Sequence, residues 1–109
     1  MLKNTTEKEL TWGFQLYVVG QRPASIAAIT NLTMICKEHL DSQYSIEVID
    51  LLEQPQLAKA HQIVAIPTLV RNLPQPLRKI IGDLSDTDKV LACLDIKAKI
   101  RQQDGNTGL

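Results

Sequence analysis

The chain has 109 residues, the size of one domain and enough to build a core without a covalent or metal staple. Hydrophobic residues make up 44% and charged residues 22%, a globular rather than a disordered balance. Twelve basic residues cancel twelve acidic ones, and the aromatics are only Trp12, Phe14, Tyr17 and Tyr44, so neither the charge footprint of a nucleic-acid binder nor a base-stacking platform is expected.

Residues 1–11 are polar and unpatterned and read as a flexible lead-in. They lack the apolar core of a secretory signal, and no apolar run approaches the ~20 residues of a membrane span. A cytoplasmic location without a membrane partner is expected. WGFQLYVVG (12–20) reads as a central strand, with Phe14, Leu16 and Val18 on one face and Tyr17 and Val19 on the other. Pro23 suits a first helical turn, and Ile26, Ile29, Leu32, Ile35, Cys36 and Leu40 follow at helical spacing. YSIEVIDLL (44–52) reads as a second strand, in which Ile46, Val48 and Asp50 alternate with Glu47 and Ile49. Pro55 opens a short helix at about 56–61.

Pro67 interrupts an apolar, β-branched run and belongs at the start of a strand, predicted at about 67–71. NLPQP (72–76) is a turn, and LRKIIG (77–82) is the next strand, ended by Gly82. Ser85 followed by Asp88 has the spacing of a capping box, and Val90, Leu91, Leu94 and Ala98 give the stripe of a last helix. The domain is placed at 12–102, with 103–109 a polar tail. The order β-α-β-α-β-β-α, with the first two strands parallel and the last two antiparallel, is the α/β thioredoxin-like fold.

Redox-active members of that fold carry paired cysteines where the first strand meets the first helix, so that the helix N-terminus stabilises a thiolate. Here the junction reads Gly20-Gln21-Arg22-Pro23-Ala24-Ser25, without sulfur. Cys36 and Cys93 form no close pair and read as free thiols buried as small hydrophobes. This argues against a thiol oxidoreductase. Pro67 occupies the place of the cis proline of the thioredoxin-like fold, with an ordinary trans proline as the alternative. His39 and His61 lack companions at metal-ligand spacing and read as surface residues. Arg71, Arg78 and Lys79 form the one local basic cluster, a solvated strand face or a partner contact. The two arginines are expected outside the core, because neither has an evident buried mate. No cofactor, metal or catalytic constellation is expected.

Taken together, LYVVG (16–20), Pro23 with Ser25, VIDLLEQPQLA (48–58), IPTL (66–69) and LPQPLRKIIGDLSD (73–86) resemble the KaiB family. The resemblance runs from about Phe14 to Asp95. It implies a non-enzymatic regulator that binds a KaiC-like ATPase, with KaiA or a sensor kinase as further partners. It also implies a metamorphic chain: a thioredoxin-like monomer binds the ring, and a differently folded homotetramer is the resting state. The rearranging C-terminal half would contain Pro67, Pro74, Pro76, Cys93 and Asp95, and Arg71, Arg78 and Lys79 would meet the partner. The chain departs from the usual family pattern. Ala27, Glu47 and Gln62 stand where basic residues are common, Cys93 where glycine is common, and Pro74-Gln75-Pro76 where three prolines are common. Fewer positive charges weaken steering toward an acidic partner, so an adaptor in stress adaptation with another partner is the alternative role.

Overall fold

The long apolar stretch that begins at Trp12 becomes the inner strand of a four-stranded sheet, flanked on one side by a parallel and on the other by an antiparallel neighbour. The computed structural model describes residues 11–41 and 43–98. Its elements are β1 (Trp12–Val18), α1 (Pro23–His39), β2 (Tyr44–Asp50), α2 (Gln56–Ala60), β3 (Thr68–Leu73), β4 (Arg78–Ile81) and α3 (Thr87–Leu94). The sheet order is β2-β1-β3-β4. β1 pairs with β2 in parallel and with β3 antiparallel, and β3 pairs antiparallel with β4. This is the thioredoxin-like arrangement, in the element order read from the sequence. The segments assigned to the lead-in and the tail lie, apart from Thr11, outside the described residues.

Period-two alternation divides the core between the two faces of the sheet. On one face Phe14, Leu16, Val18, Leu69 and Ile80 pack against Leu32, Ile35 and Cys36 of α1 and Val90, Leu91 and Leu94 of α3. On the other, Tyr17, Ile49, Leu51 and Val70 form a smaller cluster, with Leu57 and Ala58 of α2 and Ile63 packed against it. Each fully buried aliphatic side chain contributes about 1.5–3 kcal/mol, so the first face carries most of the stability. α2 has no fully buried residue and covers its face thinly.

Several boundaries and faces differ from the sequence reading. The buried stripe of α1 is Ser25, Ala28, Leu32, Ile35 and Cys36, and Ile26 is exposed. Ser25 takes the sheet-facing position because its hydroxyl bonds both the N–H and the carbonyl of Val19, at 3.3 Å each. Val48 is exposed on the edge strand β2. β3 runs on to Leu73, opposite Gly13, and takes in the first two residues of the expected turn. Asp86, not Ser85, caps α3, accepting the Lys89 N–H at 3.2 Å. α3 stops at Leu94 because Asp95 is left-handed (φ 60°). The Ile96 N–H then turns back to the Leu91 carbonyl at 2.9 Å, the closure expected after a left-handed residue. Ala98 therefore lies beyond the helix and is exposed.

Candidate functional site

The β1–α1 junction, where the fold's redox members place their nucleophile, holds no thiol. Pro23 starts α1, Arg22 precedes it without a side-chain cap, and the Ser25 hydroxyl is spent on the backbone of Val19. Both cysteines are free, as expected. Cys36 is buried, and desolvation pushes its thiol up to about 12, the reverse of an activated nucleophile. Cys93 is exposed on α3, which corrects the expectation that both thiols are core residues. The apolar stripe of α3 is Val90, Leu91 and Leu94, and Cys93 falls just off it.

The strand register splits the basic cluster. Arg71 pairs with Arg78 and Val70 with Lys79, so the arginines share one face of the sheet and Lys79 points to the other. Arg78 and Lys79 are exposed. Arg71 is not: it is only 2% exposed, contrary to the expectation from its charge. Its guanidinium lies 5.8 Å from the Trp12 ring centre and donates to the Leu94 carbonyl at the end of α3 and to the Pro76 carbonyl at 2.6 Å. A cation at a helix C-terminus meets the negative end of the helix dipole, and this explains how the charge is accommodated. Its Nε has no hydrogen-bond partner among the described residues. Arg71 is thus a clasp joining β3, the β3–β4 turn and α3, and among the expected contact residues it is the one withdrawn from the surface.

Pro67 is buried, and its bond to Ile66 is cis, as are Leu73–Pro74 and Gln75–Pro76. Pro76 supplies one clasped carbonyl with Pro74 two residues before it, and Asp95 follows the clasped Leu94, so these residues of the expected rearranging half lie close to Arg71 in sequence or contact. His61 is exposed, 5.9 Å from the Tyr17 ring. The His39 side chain is only 8% exposed at the end of α1, which corrects its reading as a surface residue.

The thinly covered face carries a polar ladder that the sequence reading missed. Gln15 Nε2 donates to Glu47 Oε1 at 3.1 Å, and Gln15 Oε1 accepts from Asn72 Nδ2 at 2.8 Å and from the Tyr17 hydroxyl at 3.4 Å. The ladder crosses β2, β1 and β3. Burial, and secondarily the charge of Glu47, raise the Tyr17 phenol above its ordinary range. Polar residues two apart in a strand were the available signal, but only the register brings them together. At the other end of β1, the Asp50 carboxylate accepts the N–H groups of Gly20 at 3.0 Å and Leu52 at 2.9 Å, and these bonds hold it below the usual carboxylate range. Among the described residues no group of His, Cys, Asp and Glu could hold a metal ion, and no helix is long and apolar enough to cross a membrane.

The comparisons agree with this architecture. The solution structure of the N-terminal domain of Synechococcus elongatus SasA is similar at a TM-score of 0.61 with 26% identity, covering 83% of this chain and 89% of that one. Mitochondrial thioredoxin 3 from Saccharomyces cerevisiae is similar at 0.63 with 22% identity, covering 86% and 92%, a likeness of fold. Circadian clock protein KaiB3 from Synechocystis sp. is 51% identical over 82 residues, 75% of this chain and 80% of that protein. The circadian clock oscillator protein KaiB of Microcystis aeruginosa is 45% identical over 98 residues, 89% and 94%. The KaiB domain model matches residues 15–96, nearly all of the described fold, and the chain belongs to the KaiB family.

Proposed function

We propose that the protein is a non-enzymatic clock-type regulator that acts by binding a KaiC-like ATPase and modulating its timing or signalling output. The observation that carries this reading is the family match over residues 15–96 on a thioredoxin-like body whose β1–α1 junction has no thiol and whose Ser25 hydroxyl is bonded to the backbone of Val19. A body of this kind can recognise a partner but has no thiol at that junction to exchange with it. KaiA or a sensor kinase would be further partners, and the fold shared with the SasA domain supports competition between similar shapes for one docking site. Exposed Arg78 and Lys79 are assigned to the partner surface, and Arg71 acts behind them by holding the β3–β4 turn.

A metamorphic exchange with a resting homotetramer is part of the proposal. It requires two packings within a few kcal/mol of one another. The C-terminal half suits this, because its elements are short and Arg71 ties three parts of it together from a buried position. The alternative partner, in a stress-adaptation role, is favoured by Ala27, Glu47 and Gln62, three positions without the basic character common in the family. A pull-down with the KaiC-like ATPase of the same genome tests the reading. Capture that weakens in Arg78→Glu, with the melting temperature unchanged, supports it. No capture by any such ATPase, with the chain folded as described, overturns it in favour of the other partner.

A further inference from the structure

We propose that the free edge of β4 is a docking site for an extended segment of a partner protein, alternating apolar and acidic residues, that adds to the sheet as a fifth strand. The sheet ends at β4. The Gly82 N–H turns inward to the Pro67 carbonyl at 2.9 Å. Backbone groups of an antiparallel strand alternate in direction, so those of Ile80 and Arg78 also turn toward β3 and those of Lys79 and Ile81 turn outward. Among the described residues no strand lies beyond them.

The side chains beside this edge are those of a binding groove. Ile81 is 61% exposed and Val64 89% exposed, both large for β-branched aliphatics on a small domain. They line a cleft of about 400 Å³ shared with Lys79, Lys89 and Cys93. Among the described residues its charged lining residues are the two lysines, and Asp83 and Asp86 line the adjoining cleft beyond Gly82. Apolar positions with lysines on either side complement a strand that offers apolar side chains inward and carboxylates to the rim.

The same lysines argue against a second copy of this chain as the occupant. Antiparallel pairing of two β4 strands about Lys79 would set the two lysines against each other, and charged edge residues are how sheets resist self-association. An acidic strand turns that obstacle into attraction. The proposal is independent of the identity of the ATPase partner: it specifies what takes this edge.

Cys93 lines the cleft and is exposed, and Cys36 is buried, so alkylation of the full-length chain by a maleimide reports on the cleft through one thiol. The probe is a short capped peptide alternating Val and Glu, beside a Val and Lys version and a Val and Glu version methylated on alternate amides. The Val and Glu peptide at saturation slows Cys93 alkylation about ten-fold. The methylated version, which cannot complete the ladder, gives no protection. In the double variant Lys79→Glu, Lys89→Glu, both positions exposed, protection passes to the Val and Lys peptide. Equal protection by the two peptides, protection that survives methylation, or none up to millimolar peptide overturns the proposal. Protection that grows with protein concentration alone makes a second copy the occupant and also overturns it. None of these readouts involves an ATPase, so their failure is separate from failure of the functional reading.

Discussion

The two halves of the chain are fastened by different means. From Trp12 to Asp50, long elements meet through apolar surface: Phe14, Leu16 and Val18 against Leu32, Ile35 and Cys36. From Thr68 to Asp95, strands of six and four residues and a helix of eight share that core through Leu69, Ile80, Val90, Leu91 and Leu94, but their shorter contacts are supplemented by polar ties between elements. Arg71 holds Leu94 and Pro76, Asp86 caps α3, and the Thr68 hydroxyl donates to the Ala65 carbonyl at 2.6 Å. Apolar packing is spread over many atoms and degrades gradually. A polar device either is made or is not, so a half built on such devices can be released by few changes. The fold exchange proposed above requires a difference of this kind.

The comparison can be broken most forcefully from the first half. Leu32 is fully buried between α1 and the sheet, and Leu32→Ala is expected to cost about 2–5 kcal/mol. Urea unfolding should show the loss through one cooperative transition, and a much smaller loss would mean that the first half is not the stable one. Arg71→Met comes next, at about 1–3 kcal/mol, because the Leu94 and Pro76 carbonyls lose their donor. Amide exchange should quicken in β4 and α3 and stay unchanged in β1 and α1. Uniform quickening would refute a clasp confined to the second half. Removing the cap by Asp86→Ala should cost about 1 kcal/mol, concentrated in α3.

Alkaline pH sharpens the same contrast. The Cys36 thiol is pushed up to about 12 by burial, whereas an unfolded thiol ionises near about 8.5. The folded chain therefore holds more protons between these values. Stability from Cys36 is full below the unfolded value and is lost as pH rises toward the folded one. Thermal melts between pH 8 and 10 should fall less steeply in Cys36→Ala, and equal slopes would place the titrating group elsewhere. The smallest effect is expected from Cys93→Gly. Glycine is less favourable than cysteine inside a helix by a few tenths of a kcal/mol, which shifts a two-state population no more than several-fold. Amide NMR should show fewer thioredoxin-like molecules in the glycine variant, and an equal or greater share would remove helix propensity from the balance between folds.

The first half was also the more legible in sequence. Strand β1, helix α1 and strand β2 follow from periodicity and from Pro23, and their observed ends lie within two residues of the reading. In the second half the existence of each element could be read, but not what secures it. Arg71 looked like a surface charge because charge is a statement about solvation alone. Its spacing of two from Leu69 placed it on the covered face, and only the end of α3 explains why it can stay there. Ser85 and Asp88 matched a capping pattern, yet Asp86 lies nearer the first free N–H groups of α3. The Glu47–Gln15–Asn72 ladder was unreadable because it depends on the register of three strands, and register is a property of the assembled sheet.

The Asp50 carboxylate bears on how the chain is made. It joins the exit of β1 to the exit of β2 through the Gly20 and Leu52 N–H groups, and the Leu51 N–H reaches the Val18 carbonyl at 2.8 Å beside it. Every donor and acceptor in that corner lies between Val18 and Leu52. Synthesis delivers this segment first, and domains generally fold from the N-terminal side as they emerge. The corner can therefore close without any residue of β3, β4 or α3, and the later strands arrive at a parallel pair whose alignment is already set.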